Sequence, residues 1–372
     1  MKNSLLLASI VSLSLAACGG GGAGTAQNST TTGATSSGQT STGTGSNQTS
    51  TGTNGSSQTN NGTVASTCVN KLGSNWVKVG MKSLDYVIYG GGKFLGASWD
   101  GAATSTDGAI WSEVPVIKQF DAIGYGLGNF VGFVYPNQQP AIKPVYSTDG
   151  VNWSPGQVSA ELDGKYNISP LEIVAGGGRL ITSDKFSSLI IWSADGKLWQ
   201  KAVGLPVNVI PKNYVLNWLA YANGSFFAAG TGSTSNKYQI FSSTDGNSWK
   251  EIIIKGDGIF PSTLIAGMQY IGNQYVAIDQ NGVIATSRDA INWQTALNTN
   301  AKVEGFGNFM VAGAGQLMTV VGSRENSRVY YSCDGASWSS VGIQTGIFGF
   351  KLAIGNSSAV IVDGSFGYVS KF

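Results

Sequence analysis

The stretch Ser147-Thr148-Asp149-Gly150-Val151-Asn152-Trp153 decides the fold, because it does not stand alone. The pattern Ser-x-Asp-Gly-x-x-Trp also occupies residues 105–111, 193–199, 243–249 and 332–338. It returns at 287–293 with Ala290 in place of the glycine, so that turn is expected to be built differently. The six aspartates, Asp107, Asp149, Asp195, Asp245, Asp289 and Asp334, recur every 42 to 50 residues. That period is the size of one four-stranded propeller blade. The residue types suit a tight turn. A carboxylate can accept backbone N–H groups, glycine supplies a left-handed position, and a tryptophan ring can pack between neighbouring sheets. These aspartates therefore read as structural.

Each period surrounds the motif in the same way. A short apolar strand such as 120–125 runs into a Gly-containing hairpin turn, a second strand follows (129–134), and a loop of varying length leads to a third (144–147). The motif then turns into a fourth strand. After Trp338 the chain offers three strands, near 348–354, 359–362 and 367–370, and no fourth. Before the first full motif, residues 74–79 read as a fourth strand carrying Trp76, with no three before it. Circular closure resolves both ends. The expected fold is all-β, a seven-bladed β-propeller whose N-terminal strand completes the last blade and removes free sheet edges. Six blades with a loose first strand is the competing count. Trp76, Trp111, Trp153, Trp199, Trp249, Trp293 and Trp338 then give one tryptophan per blade.

The motif resembles the Asp-box, or bacterial neuraminidase repeat, in a shortened form. That resemblance implies a sialidase-like fold, but not sialidase chemistry. The family uses three arginines, a Tyr–Glu pair and an acid/base Asp. This chain has only Arg179, Arg288, Arg324 and Arg328. Arg179 and Arg288 fall on the face of the hairpins and motif turns, and the family's Arg-Ile-Pro motif is absent. No catalytic residue is carried over. Histidine is absent as well, which excludes a Ser-His-Asp set and an ordinary zinc site. Gly90-Gly91-Gly92 and Gly176-Gly177-Gly178 read as hairpin turns rather than phosphate loops. No metal and no cofactor is expected.

The N-terminus carries an address. Lys2 precedes a largely apolar stretch from Leu5 to Ala17. It ends in Leu15-Ala16-Ala17-Cys18, which resembles the lipobox of bacterial lipoproteins. The resemblance implies a signal peptide over 1–17, acylation of Cys18 with palmitate-type chains, and, with Gly19 next, sorting to the outer membrane of a Gram-negative cell. Residues 19–67 hold no charged and no aromatic residue and a single Val64, so they read as a disordered tether. The propeller is expected over 68–372. A net charge of +2 gives no basic patch for nucleic acid.

Sites are expected in the irregular loops opposite the motif turns, at 135–144, 154–169, 205–217, 231–237 and 323–328. Candidate binding residues are Trp99, Asp100, Tyr135, Asp184, Lys185, Phe186, Tyr214, Arg324, Glu325 and Arg328. The leading reading is a non-enzymatic binding or assembly scaffold for a protein or glycan partner. Its alternative is a glycoside hydrolase or lyase acting on extracellular polysaccharide. That reading would need two of Asp100, Glu161, Asp163, Asp184 and Glu325 to approach one another. Closure also places Cys68 before the last strand of blade seven, beside Cys333 in the blade-six turn. A Cys68–Cys333 disulfide across the seam is the expected consequence. Peptide mapping of the exported protein without reductant should yield one linked Cys68–Cys333 peptide; two free thiols would contradict the pairing.

Overall fold

The computed structural model describes the chain from residue 75 to 372, apart from 81–82, 116–118, 136–142, 167, 207–209, 211–212, 233–237, 257–263, 304–308, 323–326, 344–349, 363 and 365. The expected signal peptide and tether, with Cys18 and Cys68, lie outside the described residues, as do Arg324 and Glu325. The described chain is all-β and forms seven antiparallel blades. Six are built from consecutive strands, as in blade one: Tyr86–Gly90, Lys93–Ser98, Gly101–Ser105 and Ser112–Val114. The seventh joins Lys351–Ile354, Ser358–Val362 and Gly367–Lys371 to the N-terminal strand Val77–Val79. Val77 pairs with Val369, Lys78 with Tyr368 and Val79 with Gly367. Closure through the N-terminal strand holds, and the six-blade count is excluded.

The blades form a ring because their strands are apolar on both faces. Tyr86–Gly90 is buried at every position, and the second and third strands of blade one are buried at all but one position each. Seven apolar clusters occupy the seven gaps between neighbouring blades. The last joins Val360, Val362 and Val369 of blade seven to Val87 and Phe94 of blade one. Each blade tryptophan sits in the gap to the blade before it. Trp153 meets Phe120 of blade two's own first strand at 5.3 Å, and Trp199 meets Phe133 of the preceding blade at 5.0 Å. Trp76 belongs to the gap between blades six and seven.

The motif turns show why their residue types recur. Asp149 Oδ1 accepts the amides of Val151 and Asn152 at 2.8 and 2.7 Å. The Ser147 hydroxyl donates to that carboxylate and accepts the Gly150 N–H, each at 2.9 Å. Gly150 sits at φ +73°. The Trp153 indole N–H closes the turn on the Gly150 carbonyl at 3.1 Å. The backbone amides of Ile110 and Ala109 hold Asp107 down to about 2. The equivalent amides hold Asp149 and Asp289 well below the carboxylate range. The Ala290 turn keeps the frame of the others but differs at one bond. The five glycine turns donate the glycine N–H to the serine hydroxyl, whereas among the described residues the Ser287 hydroxyl accepts only from the Asp289 N–H. Ala290 takes φ +60°, Asp289 accepts the amides of Ile291 and Asn292, and Trp293 donates to the Ala290 carbonyl.

Two further devices lace the ring. The first residue of a second strand reaches the motif Asp of the next blade. Lys93 donates to the Asp149 carbonyl, Asn129 to Asp195, Gln274 to Asp334, and Ser358 to Asp107 across the seam. In addition, chain leaving one blade pairs with the outermost strand of the next. Gln157–Val158 runs parallel to Leu198–Lys201, and Lys255–Gly256 parallel to Asn292–Asn298. These pairings turn part of the expected 154–169 loop into strand, and the expected 205–217 loop ends early because Tyr214–Ala222 is a strand.

The turn bonds set a paired expectation. Asp149→Ala strands two backbone donors and should lower unfolding free energy by about 1–2 kcal/mol. Ala290→Gly relieves the left-handed strain and should raise it by up to about 1 kcal/mol. Urea midpoints at unchanged m-value measure both; equal effects of one sign would contradict this account of the turn.

Candidate functional site

The first hairpins and the motif turns share one face. The links from second to third strands, and those between blades, form the other. The seven first strands ring the axis and begin at that second, loop-bearing face. Near their starts the apolar pattern is broken. Asp85 immediately precedes Tyr86–Gly90, and Asp121 is second in Phe120–Gly126. Glu172 lies two residues before Val174–Gly176, and Asn217 lies within Tyr214–Ala222. Lys351 opens Lys351–Ile354. The ring gathers side chains that are far apart in sequence into one axial group.

Lys351 is only 5% exposed. Burial pushes its ammonium down to about 7, against the pull of Asp85 and Glu172 and with help from Lys185. Its ammonium also lies 5.8 Å from the centre of the Phe309 ring. Burial pushes Asp85 up, while the Trp99 backbone N–H and Lys351 draw it down. Glu172 is fully buried and accepts the Leu219 N–H of the next blade, just past the bulge between Leu216 and Trp218. Asn217 Oδ1 is buried without a hydrogen-bond partner.

A second set adjoins this one on blades two and three. Lys185 Nζ lies 2.9 Å from Asp121 Oδ1, with both side chains largely buried. The Ser169 hydroxyl donates to Asp121 Oδ2 at 2.9 Å, and the Ser169 carbonyl accepts the Lys185 N–H at 2.7 Å. Burial and then the Asp121 charge push the Tyr135 phenol up, against a hydrogen bond with Ser169. Tyr135 packs on Trp99 with ring centres 5.4 Å apart. Aromatic rings thus stand at the second-to-third links of four successive blades: Phe366 on seven, Trp99 on one, Tyr135 on two and Phe186 on three. Three of them are well exposed, at 39% for Phe366, 53% for Trp99 and 70% for Phe186.

Of the residues singled out from the sequence, Trp99, Asp100, Tyr135, Asp184, Lys185 and Phe186 fall in this region. Asp184 accepts the Ser169 N–H and the Ser187 hydroxyl, so it shapes the loop presenting Lys185 and Phe186. Tyr214 lies elsewhere, buried between blades three and four, its hydroxyl donating to the Gln239 carbonyl. Arg328 lies on a third strand, bonded to Ser340 on the fourth. Glu161 pairs with Lys201 at 3.4 Å and Asp163 with Lys143 at 3.3 Å, both on exposed surface. Asp85, Asp121, Glu172, Asn217 and Lys351 were not anticipated. Their available signal was a polar residue at the head of an apolar strand buried on both sides.

No family model matches the sequence, and no curated protein does. Solved structures do share the fold. PorZ, a surface component of the type-IX secretion system of Porphyromonas gingivalis, aligns at TM-score 0.54 and 11% identity, over 79% of this chain and 37% of that one. The present chain thus spans little more than a third of PorZ. A glycoside hydrolase family 74 xyloglucanase from Xanthomonas campestris aligns at 0.57 and 13% identity, over 80% and 53%. YCF48 bound to a D1 peptide aligns at 0.52 and 15% identity, over 80% and 94%. At these identities the likeness establishes a β-propeller.

Lys351 has a pH signature. From about pH 7 to 10 the unfolded chain retains a proton that the folded chain has released, so stability contributed at Lys351 rises with pH, by at most ~1.4 kcal/mol per unit. Denaturant midpoints at pH 6.5, 8 and 9.5 should therefore climb for the wild type relative to Lys351→Met; a pH-independent difference would contradict a buried, depressed amine.

Proposed function

We propose that this chain is a lipid-anchored, exported protein whose propeller is a non-catalytic binding module, taking its partner on the loop face over blades seven to three. One observation carries the reading: an arc of exposed Phe366, Trp99 and Phe186, with Tyr135 among them, borders a buried polar group on the axis. Exposed aromatics beside placed polar groups are the usual make-up of a recognition surface. The fold does not choose the role, since it serves a surface component and a hydrolase alike. The carboxylates favour binding over hydrolysis. Asp121 is held by Lys185 and Ser169, Glu172 by a backbone amide, and Asp184 by its own loop.

The address rests on the sequence. The apolar N-terminal stretch, Cys18 and the uncharged 19–67 segment suit a protein tethered by acyl chains at the outer membrane. The repeat suits the Asp-box class of propellers. A Cys68–Cys333 bond at the seam suits an oxidising compartment. Its support is that Cys333, half-buried in the blade-six turn, is an engaged sulfur and that Val77–Val79 starts nine residues after Cys68.

Photo-crosslinking in the native cell tests the loop-face reading. Benzoylphenylalanine placed at Phe186 should capture a partner. The same residue at Ile110, 78% exposed on the opposite face, should not. Capture from Ile110 alone would overturn the assignment of the face.

A further inference from the structure

We infer that the ligand of the loop face is a neutral, polyhydroxylated glycan chain, with its sugar rings on the aromatic arc and its hydroxyls bridging Lys351 to the axial acceptors. This rests on the binding reading above and names the partner's chemistry.

The arc comes first. Phe366, Trp99, Tyr135 and Phe186 stand on four adjacent blades, one ring per blade, so the surface repeats along the ring. An extended chain of similar units matches such a repeat. The rings of Trp99, Tyr135 and Phe186 offer π-faces to the C–H faces of a sugar, while the Lys78 ammonium already lies over the Phe366 ring at 3.3 Å.

Hydrogen-bond chemistry under the arc narrows the class. Lys351 is buried beyond nine-tenths, and among the described residues no hydrogen bond or ion pair reaches its amine. Its charged neighbours Asp85 and Glu172 act on it electrostatically. Asn217 Oδ1 is likewise a buried acceptor without a donor. A buried acceptor left without a donor is costly, so a ligand that brings a donor to Asn217 is favoured. A hydroxyl both donates and accepts, so vicinal sugar hydroxyls can accept from Lys351 while donating to Asp85 or Asn217. A carboxylate or phosphate offers acceptors only. An ammonium or guanidinium offers donors only, and would leave Lys351 without an acceptor.

Charge points the same way. Asp85, Asp100, Asp121, Glu172 and Asp184 surround the site against Lys78, Lys185 and Lys351; Lys185 is already held by Asp121 at 2.9 Å, and Lys78 lies over the Phe366 ring. A uronate or phosphorylated chain would enter a region with more carboxylates than ammonium groups. A basic peptide would meet the two lysines at the axis.

The full-length chain in detergent tests this by calorimetry. The probes are neutral hexasaccharides of gluco-, manno- and galacto-configuration, an oligogalacturonate hexamer and a hexalysine peptide. At least one neutral hexasaccharide should bind saturably. Its Kd should rise tenfold or more in Trp99→Ala and in Lys351→Met, and stay unchanged in Ile110→Ala. Trp99 is half exposed, so its variant keeps the test valid should Lys351→Met fail to fold. No neutral binder, equal or tighter binding of the uronate or the peptide, or neutral binding indifferent to Trp99→Ala would each overturn the inference. Crosslinks to a protein from position 186 together with absent saccharide binding would sink the glycan while leaving the loop-face reading standing.

Discussion

Every blade of this protein buries both of its faces against its neighbours, and the rest of the structure depends on that constraint. A sheet whose first three strands are apolar on both sides has no soluble face of its own. It is stable only between two others, so the series must close. Closure falls to a three-residue strand, Val77–Val79, which covers what would otherwise be the open edge of Gly367–Lys371. The blade tryptophans enforce the same geometry, since each fills the gap toward the preceding blade. Trp76 does this for the blade that no motif turn completes.

The motif turn is the local device that makes this arrangement repeatable. Serine, aspartate, glycine and tryptophan all take part in the hydrogen bonds of the turn, and the turn's own carbonyl receives a side chain from the blade before it. The frame is thereby placed at one end of the strands, and the proposed recognition face lies at the other. The most regular residues of the sequence hold the ring. The residues that differ from blade to blade meet at the other face.

The architecture was legible because its signal is periodic and local. Six in-register motifs, three strands after Trp338 and a lone strand around Trp76 leave one economical closure. The serine's double role and the indole bond were not read, although their residue types recur with the motif. The parallel straps at Gln157–Val158 and Lys255–Gly256 could not be read, because two-residue pairings depend on which strand lies alongside. The site was half legible. Trp99, Tyr135, Lys185 and Phe186 announced themselves as large side chains in turn-rich links. Asp85, Asp121, Glu172 and Lys351 are scattered over more than 260 residues, and only the ring brings them to one level. Tyr214 and Arg328 look alike in sequence to the true neighbours. A lengthened first strand draws Tyr214 into the core, and Arg328 falls on a strand rather than in a loop.

Ring closure by the N-terminal strand is the claim on which both the frame and the axial site rest, and amide hydrogen exchange reads it directly. Gly367–Lys371 should exchange as slowly as the interior strand Gly101–Ser105 of blade one, because both are paired on two sides. Exchange of the Gly367–Lys371 amides at the rate of a one-sided edge strand would contradict closure.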